Sequence, residues 1–240
     1  MNNNYDHRLI NLLVYAMTIE SKSNKSINVP TIQIEIIKSN DCDKVITFLR
    51  ENFFPQAPLA SCEPKWIPSA EDEADLRKCI IHYGCSIMAM ENDELVGVCI
   101  ALPKKRSSID EYYKEAEKAG KTKHGYIMKL LGDTNSKADI FNRYGVEEIL
   151  YLFLASVAAN QRGRNIAGLM TRELMRLGKS MNYEVLSMDC SSYYCAQVCE
   201  RLGMDCLNST LYAEYLDEMG EVMFKPKPPH VAMKTYAQRL

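Results

Sequence analysis

The segment from Gln161 to Ala167 is rich in basic and small residues and has the composition of an anion-binding loop. It follows the apolar strand pattern of Glu148 to Val157 and precedes a helical pattern that runs to Leu177. Backbone N–H groups at the start of a helix lack partners within the helix, and the helix dipole places partial positive charge there. The sequence therefore predicts that these amides, with the guanidinium groups of Arg162 and Arg164, bind a pyrophosphate.

Two absent motifs limit the kind of phosphate ligand. The segment has neither the Gly-x-Gly-x-x-Gly of dinucleotide-binding folds nor the Gly-Lys-Ser/Thr of nucleoside-triphosphate loops. Neither NAD nor ATP is therefore favoured as the ligand. An ordinary strand-to-helix turn with solvated arginines is the alternative interpretation of the same residues.

The segment resembles the acetyl-CoA loop of the GNAT acetyltransferase superfamily, Arg/Gln-x-x-Gly-x-Gly/Ala. The fourth motif position, usually glycine, is Asn165, and we expect the turn to survive because asparagine tolerates a left-handed backbone. The resemblance implies acetyl-CoA as co-substrate, with its pantetheine arm lying along Leu154 to Val157 like an added strand. The implied cofactor-binding residues are Leu154, Val157, Gln161, Arg162, Gly163, Arg164, Asn165, Ile166, Ala167 and Ser192.

The elements that must position this loop alternate between strands and helices. Alternating isoleucines from Ile32 to Ile36 predict a half-buried strand, and Asp41 is placed to begin a helix. A capping box at Ser69 to Asp72 predicts a second helix, which ends before Gly84. Two strands then form a hairpin around the turn Glu91-Asn92-Asp93.

The second half of the chain continues this alternation. After the loop and its helix we predict a strand over 184–189, a helix over 192–202, and strands over 207–214 and 231–238. The order of elements indicates an α/β fold. The resemblance makes it the GNAT acyltransferase fold, a mixed and mostly antiparallel sheet flanked by helices, with a helical insertion at 107–145 before the cofactor-binding strand.

Composition gives a single globular domain and few other constraints. The 240 residues are 47% hydrophobic with a formal net charge of −2, so residues 31–240 are expected to form one domain. The apolar stretch within residues 1–30 is too short to span a bilayer, and we expect these residues to be a loosely attached extension.

The net charge is close to zero, so the sequence predicts neither a nucleic-acid partner nor a membrane partner. The basic run from Pro103 to Arg106 is short, and we predict that it is a solvated loop.

The cysteines point to a reducing compartment. Their number, nine, is odd, and no Cys-x-x-Cys pair occurs, so we expect free thiols and a cytoplasmic location. Cys190, Cys195 and Cys199 are close in sequence, but no histidine lies near them. We therefore predict no metal site.

The last third of the chain carries a more specific resemblance. Asp189 to Ala196, Glu200 to Met204, and the segments Gly220 to Pro226 and Pro229 to Val231 resemble the insect arylalkylamine N-acetyltransferases, the dopamine N-acetyltransferase group. The resemblance covers roughly residues 31–240. It implies transfer of an acetyl or longer acyl group from acyl-CoA to a small primary amine such as an arylalkylamine or a polyamine, by direct attack in a ternary complex.

The same resemblance locates candidate catalytic residues and reveals two departures. The family's general-base glutamate corresponds to Ala57, and of its two serines four residues apart, the first is Ser191 and the second is replaced by Cys195. His230 is a candidate base because histidine titrates near neutral pH, and Tyr194 or Cys195 is a candidate donor of a proton to the leaving thiolate. Each of these three has an alternative interpretation as a packing residue. Candidate residues of the substrate pocket are Phe53, Phe54, Ala57 and Trp66.

Three functions remain open at this point. The first is an acyl-CoA-dependent amine N-acetyltransferase. The second is an acyl-CoA-binding protein of the same fold with little catalysis, which Ala57 and Cys195 favour. The third is a protein-amine acetyltransferase, which an open amine site would favour over a lidded one.

Overall fold

The computed structural model describes residues 31–59 and 68–240, and Thr31–Leu240 forms one compact unit. The prediction for residues 1–30 lies outside the described residues. Seven strands are described: β1 (Gln33–Ile36), β2 (Ile87–Glu91), β3 (Glu94–Lys105), β4 (Glu148–Val157), β5 (Val185–Cys190), β6 (Asp205–Leu211) and β7 (Ala232–Arg239). Seven α-helices accompany them: α1 (Cys42–Asn52), α2 (Ala70–Tyr83), α3 (Ser107–Ala119), α4 (Lys123–Ala138), α5 (Ile140–Tyr144), α6 (Ile166–Ser180) and α7 (Tyr193–Leu202).

The strands form one sheet in the order β1-β2-β3-β4-β5-β7-β6. Only β4 and β5 are parallel, and every other neighbouring pair in this sheet is antiparallel. The predicted mixed, mostly antiparallel sheet flanked by helices is therefore confirmed. The last strand does not add at the edge, because β7 lies between β5 and β6.

Local signals fix the first half of the fold. Asn92 and Asp93 both have positive φ, 49° and 64°, which is the type I′ geometry that matches the twist of the β2–β3 hairpin. Ser69 and Asp72 form the predicted capping box, in which each side chain accepts from the other residue's N–H at 3.2 and 2.8 Å. Gly84 ends α2 with φ +60°.

The insertion predicted at 107–145 consists of α3, α4 and α5, between β3 and β4. Strand β3 extends to Lys105, beyond the predicted end, so the basic run that starts at Pro103 belongs mostly to the sheet. The prediction of a solvated loop is wrong for Lys104, whose residue is only 3% exposed. Its ammonium group is paired with the buried carboxylate of Asp189.

Among residues 31–59 and 68–240, each helix is either too short or too polar to span a lipid bilayer.

Helix α6 packs on the sheet through a stripe spaced by one helical turn, Ile166, Met170 and Leu174, all nearly fully buried. Gly97 on β3 permits this close approach, since a Cβ there would lie 2.8 Å from Met170 Cε. The start of α6 is thereby fixed beside the end of β4, which is paired with Gly97 through Val157.

Candidate functional site

The loop between β4 and α6 presents a row of free backbone amides. Gly163 and Asn165 have positive φ, 81° and 61°, so asparagine does occupy the left-handed position expected of it. The backbone N–H groups of Arg162 to Gly168 donate no hydrogen bond to any of the described residues. The Asn165 side chain does not cap them either. These amides stand at the positive end of α6, which is the arrangement that binds phosphate oxygens.

The two arginines of the loop have different surroundings. Arg162 is exposed, and its Nε donates to the Val157 carbonyl at 3.3 Å, which leaves the rest of its guanidinium group available to an anion. Arg164 instead forms a two-pronged pair with Glu91, at 2.7 and 2.6 Å, and also donates to the Gln161 side chain. Arg164 therefore fastens the loop to the β2–β3 hairpin. This pair could not be predicted from the sequence, because its members are 73 residues apart.

The Arg164–Glu91 pair should matter for ligand binding through the shape of the loop. Hydrogen bonds from Arg164 hold the pKa of Glu91 below its ordinary value, so the pair exists above that lowered pKa and is lost as the pH falls through it. We expect Glu91→Gln to weaken acetyl-CoA binding by about threefold to tenfold, because a smaller fraction of loops has the binding geometry. Glu94→Gln, on the same hairpin but exposed, is the matched control. Equal affinities of both variants in calorimetry would contradict this role.

Strand β4 has an open edge beside the loop. Its register to β3 skips Phe153, which bulges out and is 51% exposed. Its pairing with β5 covers only Leu150–Leu152, so within the described residues no strand pairs with the stretch 153–157 on that side. Leu154 is buried in the core cluster on the α1 side of the sheet, while Val157 is half-buried. The diverging strands leave a slot that an extended chain can enter as an additional strand.

The end of β5 and the start of α7 form the other wall of the slot. Ser191 and Ser192 are half-buried; Ser191 accepts a hydrogen bond from Tyr212 Oη through its carbonyl at 2.9 Å, and Ser192 caps α7 by accepting from the Tyr194 N–H. Tyr194 is 62% exposed. Cys195 is half-buried and turns toward the core, where its sulfur lies 3.3 Å from Cys190 Sγ. Of the two candidate proton donors, the tyrosine is the one that faces outward.

His230 is held in one orientation by the backbone. Its Nδ1 accepts a hydrogen bond from the Tyr193 N–H at 3.1 Å, so the neutral ring carries its proton on Nε2. Burial lowers the pKa of His230, which favours this neutral form. In this position the ring has no free lone pair to receive a proton. It can donate from Nε2, and it packs edge-to-face with Tyr194 at a centroid distance of 5.7 Å.

The segment after α1 supplies the predicted pocket residues. Phe53 and Phe54 are half-buried and pack edge-to-face at 5.4 Å against the α1–α2 side of the sheet. Ala57 is half-buried, and its N–H donates to the Phe53 carbonyl at 2.9 Å. Leu59, two residues on, is buried with Tyr215 and neighbouring residues, which anchors the far end of the segment. Trp66 lies outside the described residues.

A buried polar network stands behind the slot, and sequence reasoning missed it. The side chain of Asp189 is almost fully buried and accepts hydrogen bonds from four side chains: Tyr151 Oη at 2.9 Å, Asn135 Nδ2 at 2.8 Å, Thr235 Oγ1 at 2.6 Å and Lys104 Nζ at 3.4 Å. Lys104 Nζ also donates to Asn135 Oδ1 at 2.8 Å and lies 3.9 Å from the centre of the Tyr151 ring. A charged residue inside the apolar strand β5 was the available signal. The network ties α4 of the insertion to the four adjacent strands β3, β4, β5 and β7, just before Cys190.

Comparison with models of protein families found no match. Among solved structures, the chain is similar to the polyamine N-acetyltransferase of Drosophila melanogaster, an enzyme that catalyses the formation of N-acetylagmatine. The identity is 27% and the TM-score 0.80, over 88% of this chain and 100% of that one. It is also similar to arylalkylamine N-acetyltransferase 2 of Aedes aegypti, with 26% identity and a TM-score of 0.79 over 87% and 98% of the two chains.

A more distant solved structure, from a plant, shares the fold of this chain. Arabidopsis thaliana NAA60, solved in complex with acetyl-CoA, has a TM-score of 0.51 and 14% identity over 88% of this chain and 99% of that one, which shows a common fold alone. The fold predicted from the acetyl-CoA-loop resemblance is confirmed by all three structures. The chain therefore has the GNAT acyltransferase fold and is similar in sequence and structure to the insect arylalkylamine and polyamine N-acetyltransferases.

Proposed function

We propose that this protein transfers an acetyl group from acetyl-CoA to the primary amine of a small arylalkylamine or polyamine, by direct attack within a ternary complex. The observation that carries the proposal is the open edge of β4, residues 153–157, placed directly beside the free amides of the 162–168 loop. A long ligand with a diphosphate at one end and an amide-containing arm at the other fits both features at once. The activities of the similar insect enzymes support the same assignment.

The chemistry divides into binding and two proton transfers. The amides of Arg162 to Gly168 and the free part of the Arg162 guanidinium group would hold the diphosphate. An N–H of the β4 edge would polarise the thioester carbonyl, and the two flanking walls would exclude water. The incoming ammonium must lose one proton before attack, and the departing thiolate must gain one.

We assign the second proton transfer to Tyr194. It is exposed next to the slot, whereas Cys195 faces Cys190 and the core. His230 fits a supporting role for Tyr194 better than that of a base, because its Nδ1 is occupied. The first proton transfer then needs another acceptor, such as a chain of waters, since an alkylammonium reacts through its small neutral fraction.

The second candidate function, binding of acyl-CoA with little catalysis, is favoured by one pair of observations. Ala57 has no carboxylate, and the Nδ1 lone pair of His230 already accepts a hydrogen bond, so neither side chain can accept a proton from the amine. Thiol release from acetyl-CoA separates the two functions. Steady release with at least one amine from a panel containing tyramine, dopamine, agmatine and spermine supports the transferase. Acetyl-CoA binding in calorimetry without release for any amine supports the binding protein, and absence of binding contradicts both.

The loop itself is tested by adding one methyl group at Gly163. An alanine with positive φ costs about 1–2 kcal/mol, so we expect Gly163→Ala to move the loop out of its binding shape and weaken acetyl-CoA binding by about tenfold. Gly145→Ala is the matched control, because Gly145 also has positive φ, 67°, and open space around its missing Cβ, but it lies at the end of α5. Similar affinities of the two variants would mean that the loop does not hold the diphosphate.

A further inference from the structure

Three thiols meet where β5 passes into α7. Cys190 is the last residue of β5, and Cys195 and Cys199 lie one turn apart on the same face of α7. Cys190 Sγ is 3.3 Å from Cys195 Sγ and 3.6 Å from Cys199 Sγ. All cysteines in the described part of the chain are free, so these sulfurs are in contact without being bonded.

The three thiols differ in access to solvent and in their neighbours. Cys190 and Cys199 are 1% and 0% exposed, and the Cys199 S–H is directed at Met188 Sδ at 3.1 Å. Cys195 is the partly exposed member, so a small solute reaches it first. Accessibility is one of the two conditions that select which cysteine in a protein is oxidised.

The second condition is the electrostatic surroundings of the sulfur, which differ between Cys195 and Cys190. Cys195 is in the first turn of α7, where the helix dipole favours a negative charge. The Cys190 S–H donates toward Cys195 Sγ, so the two sulfurs already face each other. Burial raises the pKa of the Cys190 thiol, which suits Cys190 to be the second, protonated partner of the pair.

We propose that Cys190 and Cys195 form a peroxide-sensitive site that closes into a reversible disulfide. The Cys195 thiolate attacks one oxygen of hydrogen peroxide: an S–O bond forms, the O–O bond breaks, and the leaving hydroxide takes a proton to become water. The Cys190 sulfur then attacks the sulfenic sulfur of Cys195: the S–S bond forms, the S–O bond breaks, and the Cys190 proton leaves with the hydroxide as a second water. Two thiols are oxidised and one peroxide is reduced.

The closure would act on the residues between the two cysteines. An S–S bond of about 2.05 Å requires the sulfurs to approach by a little over 1 Å from their present contact. That shift pulls the first turn of α7 toward β5 and displaces the span 191–194, which contains Ser191, Ser192 and Tyr194. If the proposed function holds, oxidation should therefore lower turnover, and a thiol reductant should restore it. This part of the inference rests on the proposed function, whereas the disulfide itself does not.

The experiment is peroxide treatment of the full chain, followed by alkylation under denaturing conditions and peptide mapping by mass spectrometry. We expect a mass loss of two hydrogen atoms, two fewer alkylated cysteines than in the reduced protein, and a cross-linked peptide that joins Cys190 to Cys195. Cys195→Ser should abolish the cross-link, and Cys206→Ser, which removes an exposed thiol on β6, should leave it intact. These readouts do not depend on any enzymatic activity.

Three results would overturn the proposal. One is oxidation of Cys195 to sulfinic acid while Cys190 stays alkylatable. Another is a cross-link between Cys190 and Cys199, which Cys199→Ala would remove and Cys195→Ser would not. The third is the absence of any disulfide at peroxide concentrations that oxidise Cys206. A disulfide that forms without changing turnover in an active preparation would overturn the regulatory consequence, and reversal of a turnover loss by dithiothreitol would support it.

Discussion

Lys104→Met is expected to lower the free energy of unfolding by about 3–5 kcal/mol, because it removes one partner of a buried ion pair. The Lys104 and Asp189 side chains are only 3% and 1% exposed, so water cannot replace the lost ammonium group beside the carboxylate. Asp189 would retain hydrogen bonds from Tyr151, Asn135 and Thr235, but these donors are neutral. The measurement is equilibrium unfolding in urea.

The neighbouring lysine gives a matched control for this prediction. Lys105→Met removes the same group from the pair with Glu148, whose nitrogen and oxygen are 3.5 Å apart and whose side chains are 68% and 39% exposed. An exposed pair of this kind contributes about 0–1 kcal/mol, so the two adjacent substitutions should differ by several kcal/mol. Similar unfolding midpoints for both variants would show that the buried network is not important for stability.

The coupling between Lys104 and Asp189 can be measured separately. Asp189 is followed directly by Cys190 and the serines at the wall of the slot, and the network also holds α4 of the insertion against the sheet. The double variant Lys104→Met/Asp189→Ala completes a double-mutant cycle that measures the coupling between the two charges. We expect it to be less destabilised than the sum of the single variants by about 0.5–3 kcal/mol, since removing both charges leaves no unpaired one behind.

Ala57→Glu is expected to raise kcat/KM for an amine substrate by about a hundredfold, the lower end of what a well-placed general base contributes. The resemblance to the arylalkylamine N-acetyltransferases implies a general-base glutamate at the position of Ala57. The surrounding segment keeps its anchors, with Leu59 buried and the Ala57 N–H bonded to the Phe53 carbonyl. The new carboxylate would therefore be added to a segment that is already in place. The measurement is the rate of thiol release with agmatine and with tyramine.

Gln56→Glu is the control for Ala57→Glu, since it adds the same charge one residue earlier on an exposed side chain. A general attraction of cationic amines by negative charge would raise kcat/KM in both variants, whereas a base acts only from position 57. Equal rates for Ala57→Glu and the unmodified protein, with acetyl-CoA affinity retained, would place the proton acceptor elsewhere. The pH dependence adds a second readout, because a new carboxylate base should introduce an acidic limb in kcat/KM.

Much of the local architecture follows from the sequence alone, because it depends on neighbouring residues. The Ser69 capping box, the left-handed turn at Asn92 and Asp93, and the left-handed Asn165 all involve residues within a few positions of one another. The order of strands and helices and the loop before α6 follow for the same reason. Such features require only hydrogen bonds and backbone preferences that a short segment carries in itself.

The features decided by tertiary structure join distant parts of the chain. The strand order, in which β7 lies between β5 and β6, is not encoded in any single segment. Glu91 and Arg164 are 73 residues apart, and Lys104 and Asp189 are 85 apart, so neither pairing can be recognised from a single segment, although Asp189 stands out within an apolar strand. His230 loses its free lone pair only because the end of the chain returns to Tyr193. Desolvation and pairing belong to the assembled core, and they determine which of the predicted residues remain free to act on a ligand.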